Sequence, residues 1–286
     1  MEKAKISASQ LFILMVLFEL GSSLLVPIAM DVKQDAWLAI LLGMVGSFVL
    51  FLVYNKLHSY YPDLLPTEYM QKIMGFILIV CSGLIKFINL QPVLEEGVLP
   101  VLKVAFTQTI YFPFAEAIVF TMILPYLKDQ KKAKLTMLCA TGLSGINLTI
   151  TMLINISVLG VDLTARSQFP LLSTVQSIQV ADFLERLDVF FMLALVIGGF
   201  IKISVLLYAA VIGTANLFKI KSPSRLSYPL GFVILCMAST IASNFQEHLH
   251  EGLKVEMFIL HMPILEIIPP LLLLVAFLKN RKKQRE

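Results

Sequence analysis

Apolar residues in this chain come in long runs separated by short polar connections. The runs reach from Leu11 to Met30, Ala36 to Tyr54, Ile73 to Leu90, Thr109 to Leu127, Leu135 to Val161, Val189 to Phe218, Leu226 to Phe245 and Met257 to Leu278. That is about eight segments, each long enough to cross ~30 Å of hydrocarbon as a helix. Within lipid every backbone amide needs a partner inside the protein, and a helix supplies it locally. The pattern therefore predicts an all-α polytopic membrane protein. The short segments of alternating polarity that a barrel requires are absent from the sequence. The first run is followed by Pro27, Met30 and Asp31 rather than a small-residue cleavage site, so it is expected to remain as a span.

Composition strengthens this reading. Apolar residues make up 58% of the 286 and charged residues only 15%, with a mean hydropathy of +0.84, far from the balance of a globular domain. Cys81, Cys139 and Cys236 all fall inside apolar runs, which predicts small core residues rather than a disulfide or metal framework.

Charge then fixes an orientation. With the N-terminus inside, the inner segments hold sixteen of the 23 Lys and Arg, among them Lys128, Lys131, Lys132 and Lys134 and the basic tail, whereas the outer ones hold five. The positive-inside rule places both termini in the cytoplasm. The tail "KNRKKQRE" reads as a juxtamembrane cluster against anionic lipid, and no nucleic-acid partner is expected.

Two spans carry interruptions. In "FELGSSLLVP", residues 18–27, Gly21 lowers helix propensity, Ser22 and Ser23 compete for backbone groups, and Pro27 cannot donate to the preceding turn. Such a break is tolerated in lipid where it is buried or lines a watered cavity, and transporters use it to present backbone to a ligand. A small-residue face for close helix packing explains the same residues equally well. In "YFPFAEAIVF", residues 111–120, Pro113 opens a span and Glu116 follows one turn later. The carboxylate either stabilises a helix start near the interface or lies deeper, where ionisation costs of order 2.5 to 3.5 kcal/mol and demands a partner.

Lys202 is the third intramembrane feature. It lies near the middle of the run from Val189 to Phe218, some ~20 Å from either end at the helical rise, beyond easy snorkelling. It is expected to face the bundle interior with Glu19 or Glu116 as counter-ion, either as a structural pair or as a cation standing where a coupling ion would sit.

Several stretches in order carry a family likeness. "KISASQLFILMVLFELGSSLLVPIA", "QDAWLAILLG", "FPFAEAIVFTMILPYLKDQKKA" and "FLERLDVFFMLALVIGGFIKISVLLYAA" resemble the spore germination receptor B-subunit family, permease-like proteins of the amino acid/polyamine/organocation transporter superfamily. The resemblance implies the LeuT-like fold of ten helices in two inverted five-helix repeats, with the first and sixth helices interrupted around the ligand. It also implies residence in the inner membrane of the spore, A and C partner subunits, and a small nutrient ligand such as an amino acid. Carried onto this chain, the ligand-binding breaks fall at Gly21, Ser22 and Ser23 and at Phe114, Ala115 and Glu116, and would offer free amides to a ligand carboxylate.

Two departures stand out. The family reads "FPFGE" where this chain has Ala115, and about eight spans stand where ten are expected. The family pattern holds through "PTEYMQKIMG" and resumes with "FILIVCSGLIKFINLQPVLEEGV", as if helices three and four had been removed. Residues 1–90 would then be a shortened first repeat and residues 91–286 the second repeat with its basic tail. Loss of a helix pair preserves the sidedness of every later connection, but it leaves the inverted pair incomplete. Three functions follow as alternatives: a germinant-sensing receptor subunit, a secondary amino acid transporter, and a degenerate subunit with only an assembly role.

The remaining features add little chemistry. The outer segment Asp162 to Asp188 is expected to cap the bundle, with a short interfacial helix around "VADFLERLD". His248 and His250 do not share a helix face, so no metal site is expected. Pro269 and Pro270 predict a kink in the last span, near His261 and Glu266. No catalytic constellation or phosphate-cradling loop is present, so neither an enzyme nor a bound cofactor is expected.

Overall fold

The computed structural model describes residues 6–23, 26–59, 87–177, 187–241, 244, 247, 259–265 and 267–283. The run from Ile73 to residue 86, the "VADFLERLD" motif up to Arg186, Cys81, His248, His250 and Glu266 lie outside them. Five helical stretches among the described residues are long and apolar enough to cross a membrane: Met30–Val49, Val98–Met122, Gln130–Leu159, Leu195–Leu217 and Pro223–Ile241. Ala8–Gly21 and Ile259–Val275 are shorter apolar helices.

Helix α1 (Ala8–Ser23) is apolar on all sides and is the most enclosed element, with Leu11, Met15, Phe18 and Leu20 fully buried. It lies against α4 (Ala133–Leu159) on one side and α7 (Leu187–Leu217) on the other. Helix α2 (Ala36–Ser59) packs on α4 and on the π-helical stretch Ala105–Phe114, which continues α3 (Val98–Val104). Thr109 donates to the Ala39 carbonyl at 3.0 Å across that contact, and a Cβ on Gly43 would overlap the Thr109 side chain. Helices α8 (Ser227–Ile241) and α9 (Ile268–Lys283) follow. Helix α8 buries no residue, and its apolar flanks, like the Phe200 and Ile203 side of α7, are exposed among the described residues.

The two ends of the bundle are sewn by polar contacts. At one, Ile6 forms an isolated parallel bridge with Leu127: its N–H donates to the Tyr126 carbonyl at 3.2 Å and its carbonyl accepts from Lys128 at 3.3 Å. The chain start thus shares an end with the basic Lys128–Lys132 loop. At the other, Lys33 meets Glu96 at 2.6 Å, Gln34 donates to the Pro92 carbonyl at 2.7 Å, and both Asp35 oxygens accept from the Leu94 N–H at 3.0 Å. Helices α5 (Val161–Arg166) and α6 (Pro170–Gln176) rest on the end of α4, where Asn155 accepts from Thr174 at 2.8 Å through its side chain and from Thr164 at 3.2 Å through its carbonyl. This part of the long connection caps the end of α4.

Two expectations need correction. The span expected to begin at Thr109 begins at Val98, because Lys103 and Gln108 dilute the hydropathy of its first turns without ending the helix. Pro113 consequently sits inside the span rather than at its start. Cys139 and Cys236 are free thiols on exposed helix flanks rather than in the core.

Helix α1 crosses α7 backbone to backbone: a Cβ on Gly21 would lie 2.8 Å from the Gly198 carbonyl oxygen, whereas one on Gly199 would meet nothing within 4 Å. Gly21→Ala is therefore expected to cost about 1–3 kcal/mol through forced helix separation, and Gly199→Ala to stay within ~1 kcal/mol of the native chain. Thermal unfolding of the purified protein in lipid distinguishes the two.

Candidate functional site at the α1–α7 crossing

The close approach of α1 and α7 brings the mid-membrane charges together. Lys202 lies one turn beyond Gly198 on α7, only 8% exposed, and its ammonium pairs with Glu116 Oε2 at 2.5 Å. The same nitrogen stands 5.0 Å from the Phe18 ring centroid and 4.9 Å from that of Phe112. Phe18 is held in turn edge-on to Phe120, centroids 5.3 Å apart. A carboxylate and two ring faces thus replace the water that Lys202 would have outside the membrane. Of the two counter-ions anticipated, Glu116 makes the contact.

Glu116 reaches that position because the span is interrupted just before it. Phe112 leaves helical geometry at φ −119°, ψ 117°, Pro113 has no N–H to offer, and the chain passes from π-helix to a 3₁₀ helix, Ala115–Met122. The interruption falls at Phe112 and Pro113, so Ala115 in place of a glycine does not prevent it. Ala115 and Phe114 are buried.

Gly21, Ser22 and Ser23 form the last described turn of α1, and the Ser23 hydroxyl donates to the Glu19 carbonyl at 2.6 Å. Gly21 serves close packing.

Glu19 is fully buried one turn before Ser23 and faces α4, where Thr141 donates to its Oε1 at 2.9 Å. Lys202 and Glu116 are near enough to act on it electrostatically. Thr141, Ser144, Phe18 and Phe112 were not anticipated as parts of the centre. Their signal was the small, polar i, i+3, i+4 stripe Thr141, Ser144 and Gly145 on an otherwise apolar helix. Among the described residues no group of three or more His, Cys, Asp or Glu is placed to hold a metal.

A polytopic helical bundle with an interrupted span beside buried charge fits a permease-like membrane protein. Comparison with known proteins agrees. A family model described as "Spore germination protein" matches residues 5–81 and 73–246. Spore germination protein KB of Bacillus subtilis (strain 168) is 40% identical over 365 positions, covering 100% of this chain and 98% of that protein. Spore germination protein YndE of the same organism is 26% identical over 165 positions, 56% of this chain and 45% of that protein. No solved structure matches. The chain belongs to the spore germination protein family of permease-like membrane proteins. The alignment to the KB protein spans 365 positions against the 286 residues here, a difference of 79, and the two blocks of the family match meet and overlap at residues 73–81. That difference is room for two spans and their connections.

Removing one partner of the ion pair strands the other in a water-poor interior. Lys202→Met or Glu116→Leu alone is expected to cost about 3–5 kcal/mol, and the double variant to recover most of it. A double-mutant cycle on thermal unfolding in lipid measures the coupling, and additive losses would show that the pair is not energetically linked.

Proposed function

We propose that the chain is the B subunit of a nutrient germinant receptor in the inner membrane of a bacterial spore, with both termini on the core side and A and C subunits as partners. In this reading a small nutrient, an amino acid in the first instance, binds where the two interrupted spans meet, at Gly21, Ser22 and Ser23 and at Phe114, Ala115 and Glu116. The observation that carries it is the convergence of Phe18 from α1 and of Phe112 and Glu116 from the second interruption on the single ammonium of Lys202. Lys202 suits a ligand carboxylate that competes with Glu116. Displacement of Glu116 would release the interrupted segment from α7, a binding event converted into a change of packing.

The missing stretch favours a sensor over a transporter, since residues 1–90 are then a shortened first repeat beside the complete second repeat of 91–286 and no inverted pair remains to alternate. The same shortness supports, as a second reading, a subunit with only an assembly role.

Spores lacking their own B subunit and expressing this chain with its A and C partners provide the test, with optical density followed after addition of single amino acids and subunit levels measured in parallel. Germination to one amino acid class is expected, and its loss in the Lys202→Met/Glu116→Leu double variant at unchanged abundance. A native-like response from that variant would remove the charged centre from the site, and silence of the native chain despite normal assembly would favour the assembly role.

A further inference from the structure

The connection between α1 and α2 and the loop before α3 meet in unfavourable backbone conformations. Ala29 has φ 59°, Lys33 has φ 49° with ψ −122°, and Leu94 across the contact has φ 59°. None is glycine, although positive φ crowds a Cβ against the backbone. Gly97, at φ 85°, closes the turn by donating to the Leu94 carbonyl at 2.9 Å, and α3 begins at the next residue.

Strain of this kind persists only where the surroundings enforce it. Here the enforcement is polar. The buried Asp35 carboxylate accepts from the Leu94 N–H through both oxygens, and the buried Gln34 amide donates to the Pro92 carbonyl and, at 3.1 Å, to Glu95. Lys33 and Glu96 add an exposed pair worth little in itself. A cleft of about 240 Å³ lies between the two loops, with Asp35, Glu95, Gly97 and Pro100 among its lining residues, which leaves these bonds to hold the loops together there. One turn past the end of α3, Gln108 donates to Asp31 at 2.6 Å and Thr109 to the Ala39 carbonyl at 3.0 Å. Helix α3 is thus tied at both ends, and the tie at its start is the strained one.

We infer that residues 33–35 and 92–97 form a strained clasp, a two-position element whose release frees α3 while Gln108 and Thr109 stay fixed. Closed, the clasp holds Lys33 and Leu94 in conformations that they leave on opening. Part of the stabilisation from its polar bonds is therefore offset by strain, and the clasp opens more readily than those bonds alone would allow. The device needs no ligand and stands whether or not the proposed receptor role holds.

Hydrogen exchange of the full chain in lipid nanodiscs, read together with thermal unfolding, tests the clasp. Glycine relieves a positive φ and alanine does not, yet both remove the native side chain. Comparing Lys33→Gly with Lys33→Ala, and Leu94→Gly with Leu94→Ala, therefore isolates the strain. Each glycine variant is expected to protect the Gly97 amide and α3 roughly fivefold better than its alanine counterpart and to melt about 2–4 °C higher. Asp35→Ala should instead lower protection from Leu94 to Val104 about tenfold, with Thr109 and α1 unaffected. Equal behaviour of glycine and alanine at either position, or a loss of protection in Asp35→Ala that extends through Thr109 into α1, would overturn the clasp. Should Asp35→Ala fail to fold, the glycine and alanine pairs decide alone.

Discussion

An ammonium held in the middle of a membrane span constrains everything around it. Lys202 cannot reach either interface from its place on α7, so the protein must bring a counter-charge and a polarisable surround to it. Glu116, Phe18 and Phe112 do this from two other elements. None could be moved without leaving a charge in a low-dielectric interior, which is why the crossing of α1 and α7 is tight at the backbone level and why glycines occupy it on both helices.

The irregular backbone of the Val98–Met122 span has the same origin. The π-helical stretch, the extended Phe112 and the 3₁₀ turn interrupt the helix just before Glu116, and Phe112 and Glu116 both meet the Lys202 ammonium. Departure from regular helix is affordable here because the interruption is enclosed by protein. Nothing comparable occurs in α4, whose role is to present a straight stripe of hydroxyls to α1.

Much of this was legible in the sequence, and the limits are physical. Uninterrupted apolar length marked the spans, and depth alone placed Lys202 inside with a glutamate as partner. The choice between Glu19 and Glu116 was not legible, because it depends on how far the phase slips at Phe112. The start of the third described span was hidden by Lys103 and Gln108, whose polar heads lower the average without breaking helix. Gly21 was ambiguous for a deeper reason: a glycine that opens a helix and a glycine that admits another helix read alike until the partner, here Gly198, is known. The pairing of Glu19 with Thr141 spans 122 residues, a separation at which no local pattern speaks. The break in the family pattern after "PTEYMQKIMG" was visible as text, and the KB alignment of 365 positions against 286 residues shows a shorter chain.

The enclosed place of α1 has a consequence for the order of biosynthesis. Its neighbours α4 and α7, and the Leu127 strand partner of Ile6, all lie more than a hundred residues downstream. Chains emerge from the ribosome N-terminus first, so α1 enters the bilayer with a carboxyl side chain whose companions have not yet been translated. Until residue 141 appears Glu19 has no hydroxyl donor, and until residue 202 the nearby cation does not exist. The first helix of this protein is therefore made well before the site that only the second half of the chain can complete.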